Sequence, residues 1–243
     1  MVYAVAIASC SIIIPAHNEE KYIGPCLESV LKARIPEVTQ IIVVDNASTD
    51  RTSDVARTYE GVTVIREERK GTSPARECGF REAEGELLVF IDADSRLPQG
   101  WIERAGAWFT DERTVCVSGP YLCYDASWIW NMVTLAYWWI FAVPASLFTR
   151  TVAVGGSMMI RRSALEAAGG FDTTVTFYGD DTSIAKRLSR VGTVRFDPLL
   201  IIRSSARRFR NQGFIRVAWT YACNFASQAF VSRSITKHHE DVR

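Results

Sequence analysis

The chain has 243 residues, of which 48% are hydrophobic and 23% are charged, and this composition is ordinary for a globular protein with a sizeable core. Its formal net charge of +1 argues against a broad nucleic-acid-binding surface. Because no low-complexity tract, internal repeat or Gly/Ser linker divides the sequence, we expect a single domain over residues 1–243, with no nucleic acid as a partner.

Short apolar runs alternate with helical patterns through the first half of the chain. Strands are expected at about 11–15, 40–45, 62–66, 86–92 and 114–119. Helices are expected at about 20–33, 51–59, 73–83 and 98–109. This alternation predicts an α/β protein whose mainly parallel central sheet is flanked by helices and connected by right-handed crossovers.

Beyond residue 120 the regular alternation of strand and helix patterns ends. A long apolar stretch is followed by a strand near 153–160, a helix at about 180–190, short strands near 193–203 and a final helical segment at about 211–231. We therefore expect the chain to consist of a first half at about 1–120 and a second half, of different pattern, at about 121–243.

Cysteine usage and the start of the chain both bear on location. The six cysteines have no Cys-x-x-Cys spacing, which indicates reduced core residues: Cys10, Cys26, Cys78, Cys116, Cys123 and Cys223. The first ten residues lack the basic segment of a signal peptide and run directly into the first strand. The sequence thus predicts a cytoplasmic protein.

One apolar run, Leu87–Ile91, ends abruptly in Asp92 and Asp94, with one small residue between the two acids. Ligands of open α/β sheets bind beyond the carboxyl ends of the strands, which is where these carboxylates are expected. Their hard oxygens suit Mg²⁺ or Mn²⁺ bound to a diphosphate. Taken alone, an Asp-x-Asp pair is weak evidence, because Asp also ends strands as a solvated turn residue.

Further motifs occur in a fixed order around this pair. They are Pro15-Ala-His-Asn-Glu19, Val44-Asp-Asn-Ala-Ser-Thr-Asp50, Gly71-Thr-Ser-Pro-Ala-Arg-Glu-Cys-Gly79, Val154-Gly-Gly-Ser157, Gly169-Gly-Phe-Asp172 and Gly179-Asp-Asp181. This set resembles the family-two glycosyltransferases of GT-A fold, and the resemblance covers nearly the whole chain. It implies a Rossmann-like domain that transfers a sugar from a nucleoside-diphosphate sugar to a hydroxyl acceptor.

The resemblance assigns the donor's base and ribose to six residues: Pro15, His17, Glu19, Asp45, Arg76 and Asp92. A carboxylate such as Asp45 can accept hydrogen bonds from a pyrimidine N–H or a ribose hydroxyl, and the alternative is a helix-capping turn residue. His17 stands where the family usually has Tyr, and Asn46 replaces the second Asp of an Asp-Asp pattern. These departures leave the choice between UDP and GDP open.

The same resemblance implies a divalent cation, Mn²⁺ or Mg²⁺, held by Asp94 with Asp92 beside it. Because no His follows at a ligand position, either diphosphate and water complete the coordination or arginines share the neutralising role. Donor or phosphate contacts are assigned to Lys70, Gly155, Gly156, Arg207 and Arg208. For Lys70 the alternative is a solvated charge run, and the basic region around Arg207 suits either a diphosphate or an anionic lipid surface.

Two acids open the helix expected at about 180–190. The resemblance makes Asp181 the general base that removes the acceptor proton, so that transfer inverts the anomeric configuration, and Asp180 is the next candidate. The alternative is helix capping, since Asp in a first helical turn is favoured by the dipole. Two consecutive acids after Gly179 exceed what capping requires.

The stretch Ala126–Thr149 has 24 residues without Asp, Glu, Lys, Arg or His, which is long enough to cross a bilayer. A single crossing would place Asp94 and Asp181 on opposite sides of the membrane, although the proposed chemistry needs both in one site. We therefore expect a buried helix, an oligomer contact or an interfacial segment interrupted at Pro144. The interfacial alternative suits a lipid-linked acceptor and a peripheral contact with the inner face of the membrane.

Two other functions compete with glycosyl transfer. A sugar-1-phosphate nucleotidyltransferase is disfavoured, because its Gly-rich loop after the first strand is replaced here by Pro15–Glu20. A non-catalytic nucleotide-sugar-binding or membrane-docking module is favoured by Asn46 and Ser183, where more acidic residues are common.

Overall fold

A seven-stranded sheet lies at the centre of the computed structural model, which describes residues 9–149, 151–175 and 179–212. The strands are β1 (Cys10–Ala16), β2 (Val38–Asp45), β3 (Val62–Arg66), β4 (Leu87–Ile91), β5 (Thr114–Ser118), β6 (Tyr121–Cys123), β7 (Ser157–Arg161), β8 (Thr193–Phe196) and β9 (Ile202–Ser204). The helices are α1 (Ile23–Ala33), α2 (Thr52–Arg57), α3 (Thr72–Glu82), α4 (Trp101–Gly106), α5 (Trp128–Tyr137), α6 (Val143–Thr149), α7 (Arg162–Ala167), α8 (Asp180–Leu188) and α9 (Arg207–Gln212).

The central sheet has the strand order β3-β2-β1-β4-β7-β5-β8, and β6 pairs with β9 in a separate two-stranded sheet. All pairs are parallel except those of β7, which runs antiparallel between β4 and β5. The prediction of a mainly parallel sheet flanked by helices is confirmed. The insertion of β7 beside β4 brings the Gly155-Gly156 segment next to Asp92, the residue that follows β4.

Two apolar clusters cover the two faces of the sheet, because successive side chains of a strand point to opposite faces. Ile12 and Ile14 of β1 pack in the cluster that includes α1 and α4. Ile13, between them, packs in the cluster that includes α3 and α8. A Cβ on Gly79 would lie 2.4 Å from Ile13, so glycine allows α3 to approach β1 closely. With both faces covered, the sheet is a rigid platform for the loops at its edge.

Several helix and strand boundaries in the structure differ from those predicted from the sequence. The helix expected at about 98–109 divides into α4 and a 3₁₀ turn at Ala107–Thr110, and the strand expected near 153–160 begins only at Ser157. The last helical segment begins at Arg207, and residues 213–231 of that prediction lie outside the described residues. Cys10, Cys26, Cys116 and Cys123 are free and buried, as the cysteine prediction expects, whereas Cys78 is free but only partly buried. Cys223 lies outside the described residues.

The long apolar stretch is one continuous helix made of α5, a π-helical turn at Trp138–Ala142 and α6. The prediction of an interruption at Pro144 is wrong, because the helix continues through this residue. The π turn directly before it widens the helix at Ile140, whose carbonyl a proline ring at position 144 would otherwise meet. By length and composition the helix could cross a membrane. Only 11% of its most apolar 18-residue window is buried inside the domain, whereas a core helix would be mostly buried. The buried-helix alternative is therefore wrong: both faces of the sheet are already covered by other helices.

The middle of this helix is fixed to the domain. Trp138 is buried, its indole Nε1 donates to the carbonyl oxygen of Tyr121 at 3.2 Å, and its ring stacks on Phe196 with centroids 5.7 Å apart. Large apolar side chains on its other faces are exposed: Trp128, Ile129, Met132, Val133, Tyr137, Trp139, Ile140, Phe141, Leu147 and Phe148. The helix lies along the surface of the domain with most of its apolar area open to solvent.

Candidate active site

The loops that follow β1 and β2 meet at the carboxyl edge of the sheet. The backbone N–H of Asn46 donates to the carbonyl oxygen of Ala16 at 2.7 Å, and the N–H of Asn18 donates to the Ser48 hydroxyl at 3.0 Å. Asn18 and Ala47 have positive φ angles of 52° and 53°, which non-glycine residues rarely adopt. Such conformations persist where the surrounding contacts impose them, and they often accompany functional loops.

Asp45 is buried and its carboxylate is already bound by protein groups. It accepts hydrogen bonds from the Ser48 N–H at 3.0 Å, the Ser53 hydroxyl at 2.6 Å and Arg66 at 3.0 Å. Burial acts to raise the pKa of Asp45, but the hydrogen bonds from Ser48 and Ser53 outweigh it and lower the pKa overall. Asp45 thus organises the loop after β2, and its contact with a nucleotide stays a prediction.

The side-chain contacts of Asn46 give a structural reason for one departure from the family pattern, the asparagine in place of a second Asp. Its side-chain nitrogen donates to the carbonyl oxygens of Glu67 at 3.2 Å and Arg69 at 2.7 Å, and its side-chain oxygen accepts from the Gly71 N–H at 2.8 Å. An aspartate could not donate these two bonds. The asparagine therefore connects the loop after β2 to the start of α3, and it has a structural reason independent of catalysis. His17 lies beside it, with Nδ1 2.6 Å from the Asn46 carbonyl oxygen.

Arg76 on α3 bridges two acids from opposite halves of the chain. Its guanidinium contacts Asp92 at 3.1 Å, just after β4, and forms a short ion pair with Asp180 at the start of α8. The Arg76 side chain is only 4% exposed. Burial acts to lower its pKa, but Asp180 and Asp92 raise it, so the guanidinium stays charged. Sequence reasoning placed Arg76 and Asp92 together, and it did not link either one to Asp180.

Gly155 and Gly156, just before β7, leave room for the ion pair between Arg76 and Asp92. A Cβ on Gly155 would lie 2.5 Å from Arg76 Nη1, and a Cβ on Gly156 would lie 2.2 Å from Asp92 Oδ2. Real Cβ atoms do not approach so closely, so any larger residue would displace Arg76 or Asp92. The predicted close approach at Gly155-Gly156 is therefore to protein side chains in this structure, and their contact with a donor stays a prediction.

Asp181 lies beside Asp180 in the first turn of α8. Its carboxylate accepts the Thr182 N–H at 2.8 Å. The backbone of Gly155 also lies close enough to act to lower its pKa. Burial and the neighbouring charge of Asp180 raise the pKa of Asp181 to about 6, although Arg76 acts in the opposite direction. A carboxylate with a raised pKa beside the predicted donor site has the properties of a general base.

Arg207, at the start of α9, closes the other side of the site. It binds Glu19 through both terminal nitrogens, one of them at 2.7 Å, and contacts Asp94 at 3.0 Å. Its guanidinium also lies 4.5 Å from the centre of the Tyr22 ring. Burial acts to lower the pKa of Arg207, but Glu19 and Asp94 raise it. The structure thus brings Glu19, Asp94 and Arg207 together, although 188 positions separate Glu19 from Arg207.

The oxygens of Asp92 and Asp94 fit a hard divalent cation, and each carboxylate already holds one cationic guanidinium. Within residues 9–149, 151–175 and 179–212, no group of three or more His, Cys, Asp or Glu side chains could hold a metal ion. The assignment of Asp94 and Asp92 as ligands of a divalent cation stays a prediction.

The remaining predicted residues are less closely involved. Lys70 is exposed, Arg208 is partly buried on α9, and Pro15 is partly buried within β1. Sequence reasoning missed the anchoring role of Glu77, whose carboxylate accepts the Phe171 N–H at 2.8 Å and an N–H of Arg81 at 2.9 Å. It also missed Asp125, which accepts from the Ala206 N–H and the Ser205 hydroxyl and fixes the start of α9. No local motif marks either contact, because each partner lies about eighty or more positions away, apart from Arg81.

Solved structures share this architecture. A mannosyltransferase from Pyrobaculum calidifontis, PcManGT in complex with GDP-Man and Mn²⁺, superimposes with a TM-score of 0.75 at 22% identity, over 98% of this chain and 67% of that chain. Glucosyl-3-phosphoglycerate synthase from Mycobacterium tuberculosis, in complex with Mn²⁺, UDP-glucose and phosphoglyceric acid, gives a TM-score of 0.63 at 19% identity, over 91% and 80% of the two chains. The fold is therefore the GT-A fold.

Sequence comparison agrees. The probable glycosyltransferase YdaM of Bacillus subtilis is 27% identical over 213 residues, which are 79% of this chain and 49% of that protein. The chain thus spans about half of that relative's length. The family model described as glycosyl transferase family 2 matches residues 11–169, more than half of the chain. With the GT-A architecture and the ordered motifs along its carboxyl edge, this chain belongs to glycosyl transferase family 2.

Proposed function

We propose that the protein is an inverting, metal-dependent glycosyltransferase that moves a sugar from a nucleoside-diphosphate sugar to a hydroxyl acceptor. The observation that carries this proposal is the bridge from Arg76 to both Asp92 and Asp180. It holds the strand-end acids of the donor side and the helix-start acids of the acceptor side within one site. The similar structures that contain GDP-Man or UDP-glucose with Mn²⁺ support the same donor chemistry.

On the donor side, Asp94 and Asp92 would hold Mn²⁺ or Mg²⁺, with diphosphate oxygens and water as the remaining ligands. When bound, the cation neutralises negative charge on the departing nucleoside diphosphate. His17 and Asp45 border the loops that would receive the base and ribose. Lys70 and Arg208 are the further cationic candidates for phosphate.

On the acceptor side, Asp181 would accept the proton of the attacking hydroxyl. The Gly155 backbone acts to lower the pKa of Asp181, so this carboxylate lies near the Gly155-Gly156 segment that packs on Arg76 and Asp92. Attack from the side opposite the diphosphate inverts the anomeric configuration. Asp180 is tied to Arg76, so it is the weaker candidate for the base and acts first as a positioning residue.

We also infer that the exposed helix Trp128–Thr149 lies on a lipid surface. No charged residue occurs in it, and its exposed aromatic side chains suit the membrane interface. Exposed Arg203 and Arg210 lie in the neighbouring elements, where they would favour anionic headgroups. A peripheral protein on the cytoplasmic face, acting on a lipid-linked acceptor or a cell-envelope glycan precursor, fits this surface.

We further infer that residues 1–243 act as one glycosyltransferase domain, with the nucleotide-binding half at about 1–120 and the acceptor-side half at about 121–243. The alternative function is a nucleotide-sugar-binding or membrane-docking module without turnover. The structural role of Asn46 weakens that alternative, because this departure from the family pattern has a reason unrelated to lost catalysis.

The first experiment measures thermal stabilisation of the purified chain by UDP and GDP, each with and without Mn²⁺. A ligand that binds the native state raises the unfolding temperature, and we expect a larger rise when Mn²⁺ is present. Incubation with UDP- and GDP-sugars then tests for donor hydrolysis or transfer. Stabilisation without any turnover would favour the binding module, and no stabilisation by either nucleotide would overturn both functions.

A further inference from the structure

Arg207 makes two contacts of unequal strength with the acids around it. The pair with Glu19 uses both terminal nitrogens and is buried, since the Glu19 side chain is 4% exposed. The contact with Asp94 uses a single nitrogen, at 3.0 Å, and this nitrogen also serves Glu19. A bidentate buried pair is the stronger of the two arrangements, so the contact with Asp94 is the one that can be given up.

The backbone that carries Arg207 is held in place. The Ser205 hydroxyl accepts the Arg207 N–H at 3.3 Å, and Asp125 accepts from the Ser205 hydroxyl at 2.9 Å. Arg210, one turn further along α9, also pairs with Asp125. With its backbone fixed, Arg207 can change partners only by moving its side chain.

We propose that Arg207 is a built-in counter-ion for Asp94, which it holds in the donor-free protein and releases when a divalent cation arrives with the donor. This inference rests on the proposed function, because it takes Asp94 as a ligand of that cation. A guanidinium and a divalent cation on one carboxylate oxygen repel each other, so they compete for Asp94. The released N–H group of Arg207, still anchored on Glu19, can then donate to a diphosphate oxygen.

The test measures binding of Mn²⁺ alone, without nucleotide, by electron paramagnetic resonance titration. Arg207→Met keeps the length of the side chain and removes its charge. We expect Arg207→Met to bind Mn²⁺ about three- to tenfold more tightly than the parent, because a neighbouring opposite charge changes a carboxylate's affinity for cations by about this factor or more. Arg113→Met, at an arginine whose side chain is 82% exposed and pairs with Asp111, is the control and should leave Mn²⁺ affinity unchanged.

Two double variants remove the confounding effects of Glu19. Arg207→Met leaves that buried carboxylate without the Arg207 guanidinium, which could destabilise the protein or create a new Mn²⁺ ligand. Glu19→Gln with Arg207→Met removes the whole pair and should keep the gain in Mn²⁺ affinity. Asp94→Asn with Arg207→Met should lose it. An unchanged or weaker Mn²⁺ affinity in both Arg207→Met and the Glu19→Gln double variant would overturn the proposal, as would a gain that survives Asp94→Asn.

Titration of UDP and GDP in saturating Mn²⁺ completes the test. We expect Arg207→Met to bind the nucleotide more weakly than the parent, in the opposite direction to its Mn²⁺ affinity, because the phosphate loses a donor. If the parent binds neither nucleotide while the Mn²⁺ gain in Arg207→Met persists, the proposed function fails and the counter-ion role of Arg207 stands. If the parent binds Mn²⁺ and nucleotide but Arg207→Met shows no gain, the proposed function stands and the inference about Arg207 fails.

Discussion

Buried Arg76 pairs with Asp180 across 104 positions of sequence, and this ion pair joins the start of α8 to α3. The same guanidinium contacts Asp92, so displacement of either acid leaves a buried charge with one partner fewer. Removing one member of a buried pair is strongly destabilising, whereas an exposed pair contributes little. The site acids are thus held in place by contacts that also stabilise the fold.

Asp94→Asn should remove the Mn²⁺-dependent part of nucleoside-diphosphate affinity and leave the fold intact. The amide is a poorer ligand for a hard cation than a carboxylate, and its shape is nearly the same. Calorimetric titration of UDP and GDP in Mn²⁺ measures the effect. Asp54→Asn, an exposed acid on α2, is the control. Equal affinities of the parent and Asp94→Asn in Mn²⁺ would contradict the assignment of Asp94.

Asp181→Asn should keep donor affinity near that of the parent and lower turnover by about two to four orders of magnitude, because a general base acts only in the transition state. Asp180→Asn should lower turnover less, and it should lower the unfolding temperature more, since buried Arg76 loses a partner. Steady-state kinetics and thermal unfolding separate the two effects. Transfer at the parental rate in Asp181→Asn would place the base elsewhere, with Asp180 next.

The pH dependence of the reaction should follow the ionisation of the Asp181 carboxyl group. Because the general base must be ionised, we expect kcat/KM to rise with pH through about 6, the raised pKa of this partly buried group, and to level off above it. A pH–rate profile tests this expectation, and an acidic limb governed by the ordinary carboxyl value of 3.8 would contradict it.

The raised pKa of Asp181 also determines how the free energy of unfolding should change with pH. A folded-state pKa of about 6 against 3.8 means that the protonated group contributes stability below pH 3.8, and this contribution is lost as the pH rises through about 6. Asp181→Asn cannot ionise, so the parent should lose stability relative to the variant over this interval. Urea unfolding of both proteins across the interval measures it.

Gly156→Ala should weaken donor binding and destabilise the protein by about 1–3 kcal/mol, as overpacking typically does. The added Cβ would lie 2.2 Å from Asp92 Oδ2, so the carboxylate must move. Urea unfolding and nucleotide titration measure the two effects. Gly24→Ala is the control, because the three atoms nearest to its Cβ would be side-chain atoms of Tyr59 and Val55, the closest being the Tyr59 hydroxyl at 3.0 Å. Parental stability and nucleotide affinity in Gly156→Ala would contradict this packing.

The parent should co-sediment with anionic vesicles and be released in large part by carbonate or high salt, as expected for a helix that lies on the bilayer without crossing it. Replacing Phe141 and Phe148 by Glu should abolish the association, because these side chains are 61% and 87% exposed. Leu199→Glu, at a position that is 59% exposed elsewhere, is the matched control. Resistance to both carbonate and salt would indicate an integral anchor instead.

Local sequence pattern determined the strands of the first half, the parallel sheet, and the positions of Asp92, Asp94 and Asp181 at the ends of elements. Apolar periodicity and strand-ending carboxylates are properties of a few neighbouring residues, so they can be read without the fold. The pairing of Arg76 with Asp180, and of Arg207 with Glu19 across 188 positions, was decided only by tertiary structure. The exposure of Trp128–Thr149 was decided in the same way, because an apolar helix is buried only where the sheet has an uncovered face, and here other helices cover both.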